Sequence, residues 1–103
     1  MGYTISAVEE TEYFRRWIES VGDRTARARI LMRIDRLIHG NPGLYRNLRQ
    51  GVSELKVSSG PGYRVYYTIR QRRLLLLLAG GDKSSQSQDI ERAIQLALAC
   101  EET

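Results

Sequence analysis

The sequence predicts an α+β fold in which a helical hairpin packs on an antiparallel sheet. Three patterns predict it. Apolar residues recur at helical spacing between Thr11 and Ile38. They alternate with polar ones from Ser53 to Ser58 and again from Tyr63 to Arg70. Leu74 to Leu78 is apolar at every position. With 103 residues, 42% of them hydrophobic and 27% charged, the chain suits one domain, residues 1–103, around one core.

The elements follow in the order β-α-α-β-β-β-α. Tyr3 to Val8 reads as a strand with Tyr3, Ile5 and Ala7 on one face. Thr11 is placed to cap a helix whose stripe is Tyr13, Phe14, Trp17, Ile18 and Val21, and Gly22 stops it. Asp23 is a good cap for a second helix with Ala26, Ile30, Ile34, Leu37 and Ile38 inward and Arg29, Arg33 and Arg36 on another face. His39 suits its negative C-terminal end, and Gly40-Asn41-Pro42-Gly43 breaks it.

In the first sheet hairpin, Leu55 and Val57 oppose Glu54 and Lys56. After the turn Ser59-Gly60-Pro61-Gly62, the residues Tyr63, Val65, Tyr67 and Ile69 oppose Arg64, Tyr66, Thr68 and Arg70. Gln71-Arg72-Arg73 turns the chain into the leucine strand, which belongs inside the sheet. Gly80 and Gly81 are expected to permit a close turn. Ser84 or Ser85, the latter with Gln88 as a capping box, starts a last helix with Ile90, Ala93, Ile94, Ala97 and Leu98 inward.

Composition excludes several classes. No apolar run approaches the roughly 20 residues of a membrane span. The first residues lack a basic segment followed by an apolar one, so no secretory signal is expected, and Gly2 is read as an ordinary second residue rather than an acylation site. Cys100 is the only cysteine, which suits a reducing compartment such as the cytoplasm. There is no Cys/His cluster and no phosphate-binding glycine loop, so neither metal nor organic cofactor is expected. The charge is segregated: from Arg15 to Arg73 there are 14 Lys/Arg against four Asp/Glu, while the remainder holds two cations and eight anions. Such a basic body attracts phosphate backbones or an acidic protein partner.

Gly51-Val52-Ser53-Glu54-Leu55-Lys56, then Gly60-Pro61-Gly62-Tyr63-Arg64-Val65-Tyr66-Tyr67, then Leu77-Leu78-Ala79-Gly80-Gly81-Asp82-Lys83 with Gln86 and Asp89-Ile90-Glu91-Arg92-Ala93, form one string. It resembles the HigB-like addiction-module killer proteins of the RelE/ParE superfamily. The resemblance implies that fold, and a toxin neutralised by a co-encoded antitoxin of the helix-turn-helix type, with operator DNA bound only through the complex. RelE-like members cut messenger RNA in the ribosomal A site, whereas ParE-like members inhibit DNA gyrase, so fold alone leaves the target open.

Carried over by position, Lys56 matches a catalytic lysine, Arg64 the arginine after Gly-Tyr, and Lys83 lies near an arginine after the last strand. A second lysine of the pattern is Glu54 here. The family's tyrosine in the last helix has no counterpart, and Asp89 lies near its place. RNA cleavage without metal needs a base for the 2′-hydroxyl, cations for the phosphate and an acid for the leaving oxygen. Alternation puts Glu54, Lys56, Arg64 and Tyr66 on one sheet face if Leu55 and Val65 face the core, with Lys83 overhanging. Glu54, Tyr66, Asp82 and Asp89 compete as the base. Arg29, Arg33, Arg36 and Arg70 are further candidates for nucleic-acid contact. Three functions compete: a ribosome-dependent endoribonuclease toxin; an inhibitor of gyrase or another macromolecule; and a weakly active copy that acts mainly through antitoxin binding.

Overall fold

A computed structural model describes residues 3–101, so Gly2 and the outermost residues of the expected domain lie outside the described residues. The elements are β1 (Ala7–Glu10), α1 (Glu12–Ser20), α2 (Arg24–Ile38), β2 (Tyr45–Asn47), β3 (Ser53–Val57), β4 (Tyr63–Arg70), β5 (Leu74–Gly81), a single 3-10 turn (Lys83–Ser85) and α3 (Gln86–Glu101). The five strands form one sheet in the order β1-β5-β4-β3-β2.

The expected α+β architecture is present, with helices on both sheet faces. The first two helices start where capping chemistry puts them, whereas Ser85, expected to cap the last helix with Gln88, instead bonds Asp89 through its hydroxyl. Thr11 Oγ1 accepts from the Phe14 amide at 3.0 Å, and the Asp23 carboxylate accepts from Thr25 and Ala26 at 3.0 and 3.2 Å. His39 ends α2 with its Nδ1 2.8 Å from the Asp35 carbonyl oxygen.

The β3-β4-β5 meander is antiparallel, as expected. Two details add to it. β1 begins four residues later than expected and pairs with β5 in parallel, Ala7 opposite Leu74 and Glu10 opposite Leu77. The shift has a simple cause: β5 starts at Leu74, so the backbone before Ala7 meets the turn that precedes β5, where the Thr4 and Ser6 amides donate to the Arg72 and Arg73 carbonyls. The second addition is β2, three residues that extend the sheet past β3.

α1 and α2 cover one sheet face through Phe14, Ile18, Ile30, Ile34 and Leu37, packed on Leu55, Val65, Tyr67, Leu75 and Leu77. α3 covers the other through Ala93, Ile94 and Ala97, packed on Tyr66, Leu76, Leu78 and Ala79. The leucine strand is thus buried on both faces. A register shift opposite Tyr66 and Tyr67 turns both Leu78 and Ala79 toward α3. Gly80 and Gly81 lie within β5 rather than in a turn, and their smallness serves packing. A Cβ on Gly80 would collide with the Trp17 ring, and one on Gly81 with the Asp89 carboxylate.

Candidate functional site

Leu55 and Val65 face the α1/α2 core and are register partners, so their neighbours share the opposite face. Glu54 pairs with Tyr66, and Lys56 with Arg64. At this end of the sheet a cleft of about 430 Å³ is lined by Leu44, Tyr45, Arg46, Glu54, Lys56, Arg64 and Gln86.

Each side chain is positioned by local structure. Gly62 has φ +80°, and its carbonyl accepts from the Arg64 guanidinium at 2.6 Å. A side chain at Gly62 would crowd that guanidinium as well as strain the backbone. The Gly-Tyr-Arg sequence is therefore a seat for a buried arginine, 6% exposed. Lys56 is exposed at the cleft.

Glu54 is buried. Its Oε1 accepts from Arg46 Nε at 2.8 Å and its Oε2 from Gln86 Nε2 at 2.9 Å, and Arg64 Nε stands 3.8 Å from Oε2. Burial pushes the Glu54 carboxyl up, but the hydrogen bonds from Arg46 and Gln86 outweigh it and hold the group below the usual carboxylate range. Tyr66 is fully buried, and its hydroxyl lies against the Glu54 carboxylate without a hydrogen bond of full geometry among the described residues. Burial first, then the Glu54 charge, push that hydroxyl far above the ordinary tyrosine value.

The other expected residues are dispersed. Lys83 is exposed in the 3-10 turn and is not among the residues lining the cleft. Asp82 and Asp89 line a different cleft, about 510 Å³, over Gly80 and Gly81 between α1 and α3. There Asp89 accepts from Ser85 Oγ at 2.5 Å, and burial raises its pKa. Asp82 accepts from the Ser84 hydroxyl and amide, which lower its pKa.

The structure gives Arg33 and Arg70 a different job from the expected contact with nucleic acid. Arg33 donates to the carbonyls of Lys56, Pro42 and Leu44 at 2.6, 2.8 and 3.2 Å, tying α2 to β3 and the loop before β2. Arg70 donates to the Ala97 carbonyl at 2.5 Å, tying β4 to α3. Arg29 reaches Ser59 at 3.3 Å, and Arg36 reaches the Met32 sulfur at 3.8 Å; both are exposed on α2, the layer opposite α3.

Arg46 and Gln86 are the site residues that the sequence pattern does not reveal. Arg46 sits on a strand too short to alternate, and it enters the cleft only because β2 pairs with β3, Arg46 opposite Glu54.

Fold and cleft together define an α+β protein with a cationic groove at one end of its sheet. A double-arginine variant of the E. coli toxin RelE, solved in the free state, matches this chain with a TM-score of 0.70 at 19% identity, over 92% of this chain and 97% of that one. The model of the family described as Phage derived protein Gp49-like (DUF891) matches residues 16–99, and the chain belongs to that family. An uncharacterized protein of Haemophilus influenzae is 40% identical over 90 residues, 87% of this chain and 91% of that protein.

Proposed function

We propose that this chain is the toxin of a type II toxin–antitoxin pair, close to the HigB-like killers, and that it cleaves messenger RNA on the ribosome. The observation that carries the reading is the cross-strand pair Lys56 and Arg64, which with Arg46 surrounds one cleft. Three cations around one buried carboxylate leave a net positive site for a phosphodiester. In that role Arg64 and Arg46 hold the non-bridging oxygens, and Lys56 stabilises charge that develops on the phosphate or the leaving oxygen. The partner is a co-encoded antitoxin of the helix-turn-helix type, which carries the complex to operator DNA. The place of action is the cytoplasm, where the ribosome is.

A second reading, inhibition of gyrase or another macromolecule without cleavage, is favoured by the state of the expected bases. Both Glu54 oxygens already accept a hydrogen bond, and Tyr66 is sealed from solvent. Two assays with purified protein separate the readings. The nuclease reading expects arrest of a reconstituted translation reaction with its message cut, and no effect on gyrase supercoiling. Arrested supercoiling with intact message contradicts it.

A further inference from the structure

We propose that Glu54 is a positioning residue: its buried carboxylate sets Arg46 and Arg64 as two guanidiniums for one phosphate group, and Arg46 is itself a phosphate ligand. This rests on the reading that the cleft takes RNA phosphates.

A buried carboxylate in an anion site is costly on its own, because it is desolvated and repels the ligand. Its partners explain its presence. Arg46 binds Oε1 through Nε at 2.8 Å, so its two terminal nitrogens are left to face a ligand from a largely exposed side chain. Arg64 Nε lies 3.8 Å from Oε2, while one of its terminal nitrogens is held by the Gly62 carbonyl. That Nε is buried and has no hydrogen-bond partner among the described residues, so the guanidinium is fixed by packing and charge and not by a full set of hydrogen bonds. Gln86 ties the first residue of α3 to the same carboxylate at 2.9 Å. A carboxylate with both oxygens already accepting is a poor proton acceptor. As an anchor, the same arrangement orients two forks toward one cleft.

The sign of one substitution decides the matter. Glu54→Gln removes a negative charge from an anion site. If charge alone matters, a fluorescein-labelled ten-nucleotide single-stranded RNA binds it more tightly, by anisotropy titration. If Glu54 positions the arginines, binding weakens about 10-fold, as for the loss of one charged hydrogen bond. Arg46→Ala weakens it by a similar factor, and the double variant loses less than the two factors multiplied, because part of the Glu54→Gln loss acts through Arg46 and the rest through Arg64. Equal or tighter binding by Glu54→Gln overturns the proposal, as does a fully additive double variant.

A measurement on the unaltered protein covers the case in which Glu54→Gln fails to fold. The Arg46 Nε–H resonance exchanges slowly with solvent, compared with that of Arg16 in its exposed pair with Glu12, and it shifts on RNA addition. An Arg46 signal as labile as that of Arg16 and unmoved by RNA refutes the proposal. Lys56→Ala and Arg64→Ala serve as the reference. If neither weakens RNA binding, the RNA reading itself has failed. If both do and Glu54→Gln does not, only the positioning role has failed.

Discussion

The two faces of the sheet are built differently. The α1/α2 face is apolar and aromatic throughout, with Leu55, Val65, Tyr67, Leu75 and Leu77 under the helical hairpin. The α3 face has a smaller apolar cluster, and it carries all three of the buried polar or charged residues among those described: Glu54, Arg64 and Thr68. Strand alternation assigns Leu55, Val65 and Tyr67 to one face of β3 and β4 and Glu54, Arg64 and Thr68 to the other. One face is therefore built for burial, while the other holds desolvated charge at one end, where Glu54 and its two arginines compensate one another. Departures from good core chemistry are expected to cluster at functional sites, and here they lie on one face.

Substitutions sharpen that contrast. The largest effect is expected on the apolar face: Leu55→Ala, fully buried, should cost about 2–5 kcal/mol of stability by denaturant titration. Its folded fraction should still bind RNA normally, and a specific loss of binding would blur the two faces. Arg64→Ala is expected to do both, lowering stability by about 1–3 kcal/mol and RNA affinity by 10-fold or more.

Acid titration tests the polar face by itself. The folded-state pKa of Glu54 is lowered, so its contribution is present above the unfolded value, about 4.3, and is lost as pH falls through the lower folded value. Glu54→Gln should therefore flatten the acid limb of the stability profile below about pH 4.5. An unchanged limb contradicts the network drawn around Glu54. Asp89 has the opposite sign. Its raised folded-state pKa costs stability once pH passes that value and costs nothing below the unfolded one, about 3.9. Asp89→Asn should melt slightly higher than the parent at pH 7 and no higher at pH 3. The smallest stability effect is expected of Lys56→Ala, within about 0.5 kcal/mol because the side chain is exposed. That variant should nevertheless reduce the salt dependence of RNA binding by about one unit of slope.

What was legible in the sequence follows from what periodicity reports. Period two puts Glu54, Lys56, Arg64 and Tyr66 on one face, because alternation fixes the face of each residue once one apolar neighbour is inward. The register that sets Lys56 opposite Arg64 and Glu54 opposite Tyr66 is seen only in the structure. Capping chemistry at Thr11 and Asp23 fixed two helix starts. Periodicity says nothing about which distant segments meet. Arg46 and Gln86 reach the cleft through a three-residue strand and a helix start that only tertiary packing brings to Glu54. The α2 arginines share a helix face, but Arg33 is spent on carbonyls that arrive from other elements. Gly80 and Gly81 are read as a turn from sequence because the ring and carboxylate that need their space come from α1 and α3.

Messenger RNA cleavage is best tested at Lys56, which lines the cleft and is exposed, so that its removal is expected to spare the fold. The measurement is the count of new messenger RNA 5′ ends after induction of the parent and of Lys56→Ala at equal protein level. Abundant new ends within coding regions are expected for the parent and at least about 10-fold fewer for the variant. Equal numbers of ends from both proteins, or growth arrest by the parent with intact messages, would contradict this expectation.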